Sequence, residues 1–236
     1  MSSGIQFDEA WSRRVEAAYV TPDIVAQRQA VVNLLALRPG ERVLDIGSGP
    51  GLLAQEMATR VGDGGAVSGV DVSESMIALA QRRCADLPWV DFRLGDASAL
   101  PYAGGAFDVA TATQVYNYIG DLPVALRELY RVLRPGGRAL VLETDWDSLV
   151  WNTTDRERMR RVLTAWLEHS AHAYLPRTLR PLLRNARFEV TREAVFPLFN
   201  PRYAPRYLQL WANRLHCLVR SRTGGCVGGG GAGMGR

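Results

Sequence analysis

Between Arg42 and Thr144 the sequence alternates short β-branched runs with helical stretches, and that alternation leaves the chain few folds to choose from. The candidate strands are Arg42–Ile46, Ala66–Val72, Val90–Leu94, Phe107–Thr111 and Arg138–Thr144, with helices expected over Leu52–Arg60, Ser75–Arg83 and Leu122–Leu133. Strands separated by helices of this length form βαβ units, whose crossovers are right-handed and whose strands run parallel. The expected class is therefore α/β, a doubly wound and mostly parallel sheet. A chain of 236 residues with 47% hydrophobic side chains can bury a core of that size.

Either side of this region the pattern changes. Residues 1–36 carry a helical apolar stripe (Ile24, Val25, Val31, Val32, Leu34, Leu35) opened near Pro22, and are expected to form helices covering the site. After Thr144 the spacing predicts helices at Asp155–Tyr174 and Thr178–Asn185, a strand at Phe188–Phe196 and a last helix at Pro205–Val219. From Gly224 the chain is nearly all glycine, which buries nothing and loses the most backbone entropy on ordering, so a disordered tail is expected. The division is then 1–36, a main domain 37–223, and a tail 224–236.

Composition removes several classes of function. The 28 basic residues are all arginine, so a Walker lysine, a lysine Schiff base and a tyrosine-lysine pair are all excluded. The net charge of +4 does not signal nucleic acid, because arginines alternate with acids, as in Asp155-Arg156-Glu157-Arg158. Cys84, Cys217 and Cys226 have no paired spacing, so neither a disulfide framework nor a metal site is expected. No apolar run reaches membrane-spanning length and the first residues lack a signal-peptide pattern; the expected location is the cytoplasm.

The chemistry concentrates at Val43-Leu44-Asp45-Ile46-Gly47-Ser48-Gly49-Pro50-Gly51, an apolar strand delivering an acid and then a glycine-rich turn into a helix. Ligands of open α/β sheets sit at strand ends, and glycines let the backbone approach them. The spacing is G-x-G-x-G. A dinucleotide fingerprint would need glycine at Leu52, so a ligand without a pyrophosphate is favoured. Asp71, before Val72 at the next strand end, is placed to accept both hydroxyls of a ribose, the competing reading being a helix cap. Asp96, followed by Ala97 after the third strand, is placed to accept from an adenine amine.

With these residues the chain resembles the class I S-adenosylmethionine (SAM)-dependent methyltransferases, and in detail the ubiquinone/menaquinone-biosynthesis branch of small-molecule methyltransferases. The likeness runs from about Val20 to Phe199 and includes Phe107-Asp108 and the run Leu126-Arg-Glu-Leu-Tyr-Arg-Val-Leu-Arg-Pro-Gly-Gly-Arg138. It implies a Rossmann-like fold in which Asp45 and Gly47, Ser48, Gly49 and Gly51 hold the methionine part of SAM. It further implies Asp71 at the ribose, Asp96 and Ala97 at the adenine, Gln114 on the sulfonium side, and Val72 among the cofactor-binding residues. It also implies a final antiparallel strand inserted between the fifth and sixth. Glycine stands where that strand is expected, so the sheet is expected to lack it, leaving Phe188–Phe196 paired directly with the fifth strand or exposed as an edge.

The acceptor is expected to be a quinol, phenol or related metabolite. SAM brings its own leaving group, so alignment should dominate. Where a base helps, His169, His172, Asp145 and Asp147 are the candidates by position; the two histidines sit i,i+3 on an expected helix and are equally at home as structural residues. Tyr19, Tyr116, Tyr118, Trp146, Trp151 and Trp166 suit a flat apolar acceptor or a core. The segment Ala112-Thr113-Gln114-Val115-Tyr116 lacks the Asn/Asp-Pro-Pro-Tyr pattern of nucleobase amine methylases. Two other readings stand beside this one: a nicotinamide-dependent oxidoreductase, and a SAM-binding protein without turnover.

Overall fold

The computed structural model describes residues 19–150, 152–197 and 213–221. A helix α1 (Pro22–Leu35) precedes β1 (Arg42–Ile46), and α2 (Leu52–Val61) leads to β2 (Ala66–Asp71). Then come α3 (Glu74–Arg83), β3 (Val90–Leu94), β4 (Phe107–Thr113), α4 (Leu122–Val132) and β5 (Leu133–Thr144). The last elements are α5 (Arg156–Leu167), α6 (Leu175–Asn185), β6 (Phe188–Pro197) and β7 (Asn213–Ser221). They build one seven-stranded sheet in the order β3-β2-β1-β4-β5-β7-β6.

Alternation along the strands divides the core between the two faces. Leu44, Ile46, Ala110, Ala112, Ala139 and Val141 face α4 and α6, which contribute Leu126, Leu129, Leu179 and Leu183. Val43, Val67, Val109, Leu140 and Leu142 face α1, α2 and α3. With both faces covered, the central strands read as continuous apolar runs, as a parallel sheet requires. The end of α1 is tied to β5 by Arg138, which donates two hydrogen bonds of 2.7 Å to the Glu41 carboxylate and reaches the carbonyls of Leu35 and Ala36 at 2.8 and 2.9 Å.

Most element expectations hold to within a residue or two; β5 starts five residues and α6 three residues earlier than expected, and two expectations fail outright. The seventh strand exists: β7 lies antiparallel between β5 and β6, in register from Arg138↔Arg220 to Thr144↔Arg214 on one side and from Phe188↔Ser221 to Pro197↔Asn213 on the other. Residues 213–219 are thus strand rather than the end of a helix from Pro205, while residues 205–212 and the tail from Gly224 lie outside the described residues. Only Val219 is β-branched in this segment, so its propensity is weak; pairing along both edges overrides it. β6 consequently pairs with β7, not β5, and forms the outer edge. The second correction is α5, which stops at Leu167 rather than Tyr174. The chain turns there so that Trp166 and Leu167 pack on Trp146, Leu149 and Ala173, which leaves His169 and His172 off the helix.

Ending the chain after residue 212 should unpair β5 and β6, and its melting temperature should fall by about 10 °C or more below that of a chain ending after residue 221, several kcal/mol at this size. Equal melting of the two truncations would show that β7 adds nothing.

Candidate functional site

The parallel strands all deliver their C-termini to one edge, and the strand order reverses between β1 and β4. The crevice at that reversal is where an open α/β sheet receives ligands. It is occupied by a cleft of about 630 Å³, open mouth included, whose floor is Asp45, Gly47 and Ser48 from the end of β1 and Thr113 and Gln114 from the end of β4; Gln27, Arg28 and Val31 of α1 wall it with Tyr19 and Leu53. The turn after β1 can take this shape only with glycine. Gly47 has φ +65°, and a Cβ there would lie 2.3 Å from Val115 Cγ2. A Cβ at Gly49 would instead meet nothing nearer than Tyr19 Cε2 at 3.7 Å, so bare backbone faces the opening.

Asp45 is 2% exposed and its Oδ2 has no hydrogen-bond partner. Burial, and then the neighbouring Asp71 carboxylate, push its pKa up to about 8. Asp71 accepts from the backbone N–H of Gly49 and of Ser73, both at 2.9 Å. Burial raises its pKa and those backbone donors partly offset the rise. The cap of α3 is Ser73, whose hydroxyl accepts from Met76 N, so Asp71 is not that cap; it braces the glycine turn. Beyond it Val72 is an apolar side chain left 60% exposed at a strand end, while Ala97, after β3, is buried. Asp96 is exposed and accepts from Ser98 N at 2.7 Å.

The loop after β4 hangs on a residue that the sequence reading passed over. Glu143, fully buried in β5, accepts from the backbone N–H of Val115 at 3.1 Å and of Tyr116 at 2.8 Å. Asn117, its amide set by the same network, donates to Glu143 Oε2 at 2.9 Å and accepts from Trp146 Nε1 at 2.8 Å. An acid inside Leu140-Val-Leu-Glu-Thr144 was the available signal, since a carboxylate enters an apolar strand only where donors await it. Arg28 was missed as well: it lines the cleft while donating to Glu56 at 2.6 Å and to the Tyr19 carbonyl at 2.9 Å.

The catalytic candidates stand elsewhere. His169 bonds the Trp166 carbonyl and packs edge-on to Trp146 and Tyr118. His172 donates from its backbone N to Asn117 O and has Nε2 3.0 Å from Ile119 O. Asp145 and Asp147 share Arg177, at 2.7 and 2.9 Å. Neither the histidines nor Asp147 line the cleft. Of the aromatic set, Tyr19 lines the cleft, Tyr116 is core, Trp146 and Trp166 pack together, and Trp151 lies outside the described residues.

This geometry defines the class of fold. A SAM-dependent methyltransferase from Aquifex aeolicus superposes with a TM-score of 0.66 at 16% identity, covering 91% of this chain and 99% of that one. The [4+2]-cyclase SpnF superposes at 0.64 with 24% identity over 84% and 81%. Residues 44–141 match the methyltransferase domain family. Over those residues the chain is similar to the class I SAM-dependent methyltransferases, whose fold it shares. Within them it is similar to the ubiquinone/menaquinone type: the demethylmenaquinone methyltransferase of Symbiobacterium thermophilum is 40% identical over 109 residues, 45% of this chain and 43% of that one. The chain spans about half or less of the length of the curated relatives it matches.

Asp45 titrates about 8 in the folded protein against 3.8 ordinarily, so between those values the folded state holds a proton that the unfolded chain has released. Stability of the ligand-free protein must then fall as pH rises through that window. Thermal melts from about pH 5 to pH 8 should show this decline, and Asp45→Asn should reduce it and melt higher at neutral pH. An identical decline in the variant would place the titrating group elsewhere.

Proposed function

We propose that the protein transfers a methyl group from SAM to a small-molecule acceptor of the quinol or phenol kind. The observation that carries this is the set of buried polar atoms without partners around the cleft, Asp45 Oδ2, Ser48 Oγ, Thr113 Oγ1 and Gln114 Nε2. Unpaired buried polar atoms are costly, and a zwitterionic amino acid supplies both the donors and the acceptors they lack. In this reading Asp45 with Gly47, Ser48, Gly49 and Gly51 holds the methionine part. Asp71 turns from bracing Gly49 to sharing its carboxylate with ribose hydroxyls. The exposed Val72, with Ala97 and Asp96, takes the adenine.

Bound SAM supplies a sulfonium methyl already activated for displacement. The chain's own residues then have to bind, orient and exclude water. Tyr19 and the face of α1 close the cleft, while Glu143 holds the loop carrying Val115 to Asn117 against β5. Neither His169 nor His172 lines the cleft, which supports alignment over proton removal as the main contribution. The quinol class draws on the relative named for demethylmenaquinone. With it goes a cytoplasmic location; a reading without a nucleic-acid partner is supported by the pairing of Arg160 and Arg161 with Glu157 and of Arg177 with Asp145 and Asp147. Likeness to a [4+2]-cyclase keeps a second reading in view, SAM binding without methylation.

Calorimetry should detect SAM and S-adenosylhomocysteine but not NADH, and Asp71→Ala should weaken SAM binding by about 1 to 3 kcal/mol. Tighter binding of NADH would overturn the reading of the site. With labelled SAM and a panel of quinols and phenols, replacing His169 or His172 should lower turnover by less than about tenfold; a hundredfold loss with SAM affinity kept would make that histidine a general base.

A further inference from the structure

Gln114 has φ +61°, a left-handed conformation that side-chain-bearing residues rarely hold without compensation. Two bonds keep it there. Its backbone N–H donates to Leu142 O at 2.8 Å, and its Oε1 accepts from the Thr144 hydroxyl at 2.7 Å. Thr144 is fully buried, so its proton needs an acceptor. Reversing the Gln114 amide would turn Nε2 toward that hydroxyl and leave the proton without the acceptor it now has. The amide is therefore set one way round: oxygen toward Thr144 of β5 and NH2 turned away from it, on a residue that lines the cleft. Nε2 is buried there with no partner.

We propose that Thr144 is a positioning residue that locks the Gln114 amide as a hydrogen-bond donor to the α-carboxylate of the bound cofactor. The inference rests on the SAM reading above. The cleft offers an acidic and a basic side chain, Asp45 on the floor, which a neighbouring cation would ionise, and the Arg28 guanidinium on α1, paired with Glu56. A zwitterion fits such walls with its ammonium toward Asp45 and its carboxylate toward donors. A locked donor on the same floor completes that division, whereas an amide free to rotate would offer oxygen to a carboxylate for part of the time. The lock is also economical in sequence, since Gln114 and Thr144 end adjacent parallel strands.

The test compares Thr144→Val, which keeps the shape and removes the hydroxyl, with Thr144→Ser, which restores it. S-adenosylhomocysteine and 5′-methylthioadenosine, which lacks the amino-acid end, serve as probes in calorimetry. Thr144→Val should weaken S-adenosylhomocysteine about three- to tenfold, the scale of one hydrogen bond, and leave 5′-methylthioadenosine unchanged. Thr144→Ser should return the first affinity to the wild-type value. Gln114→Glu, which places a charged acceptor at the donor's position, should weaken S-adenosylhomocysteine further. Equal loss for both probes, no loss for either, or failure of serine to rescue would overturn the proposal. Failure of the wild-type protein to bind S-adenosylhomocysteine would overturn the SAM reading itself, and the proposal with it.

Discussion

A single carboxylate inside the sheet organises everything above its edge. Glu143 sits where β5 is covered on both faces, and an unpaired charge there would cost several kcal/mol. It is tolerable because two backbone N–H groups and the Asn117 amide converge on it. The same bonds fix the path of residues 115–117, which puts the Val115 side chain against the glycine turn and the Asn117 oxygen against the Trp146 ring nitrogen. The loops after β4 and β5 are thus two halves of one assembly with an acid at its centre. Removing the acid would strand its donors in a dry interior rather than merely lose a contact.

The second constraint is the closeness of two acids, Asp45 and Asp71, at the ends of neighbouring strands. Each is raised by burial, and Asp71's charge raises Asp45 further. A cation beside Asp45 would offset both effects and favour its ionised form. The preference for positive charge is local to Asp45, and it sets which end of a zwitterion lies against the end of β1.

How far the sequence discloses this depends on whether a signal is local. β1 and β3 begin and end where the alternation of residue types says they should, because a short apolar run between turn residues has few other options. The glycine turn and Asp71 were legible for the same reason: spacing along one βαβ unit fixes where they meet. Gln114 was found by position, but its left-handed backbone and its tie to Thr144 depend on a residue thirty positions away. Glu143 was overlooked since its donors come from another strand's loop. His169 and His172 looked paired on a helix, but that helix ends at Leu167, where Trp166 packs on Trp146, a contact no periodicity contains. β7 was misjudged for a related reason, as its strand character comes from its two neighbours.

That neighbour-given strand bears on the order of events during synthesis. β1 to β5 pair among themselves and complete the cleft floor using residues made first. β6 has no partner until β7 is made, because the sheet places the later strand between it and β5. A ribosome-bound chain that has released everything up to Pro197 thus carries an assembled ligand edge together with an open border on β5 and a β6 that has no partner at all. Unpaired borders are where nascent chains associate wrongly. The interval between emergence of β6 and emergence of β7 is accordingly the stretch of translation in which a chaperone, or early capture of the ligand, has most to protect.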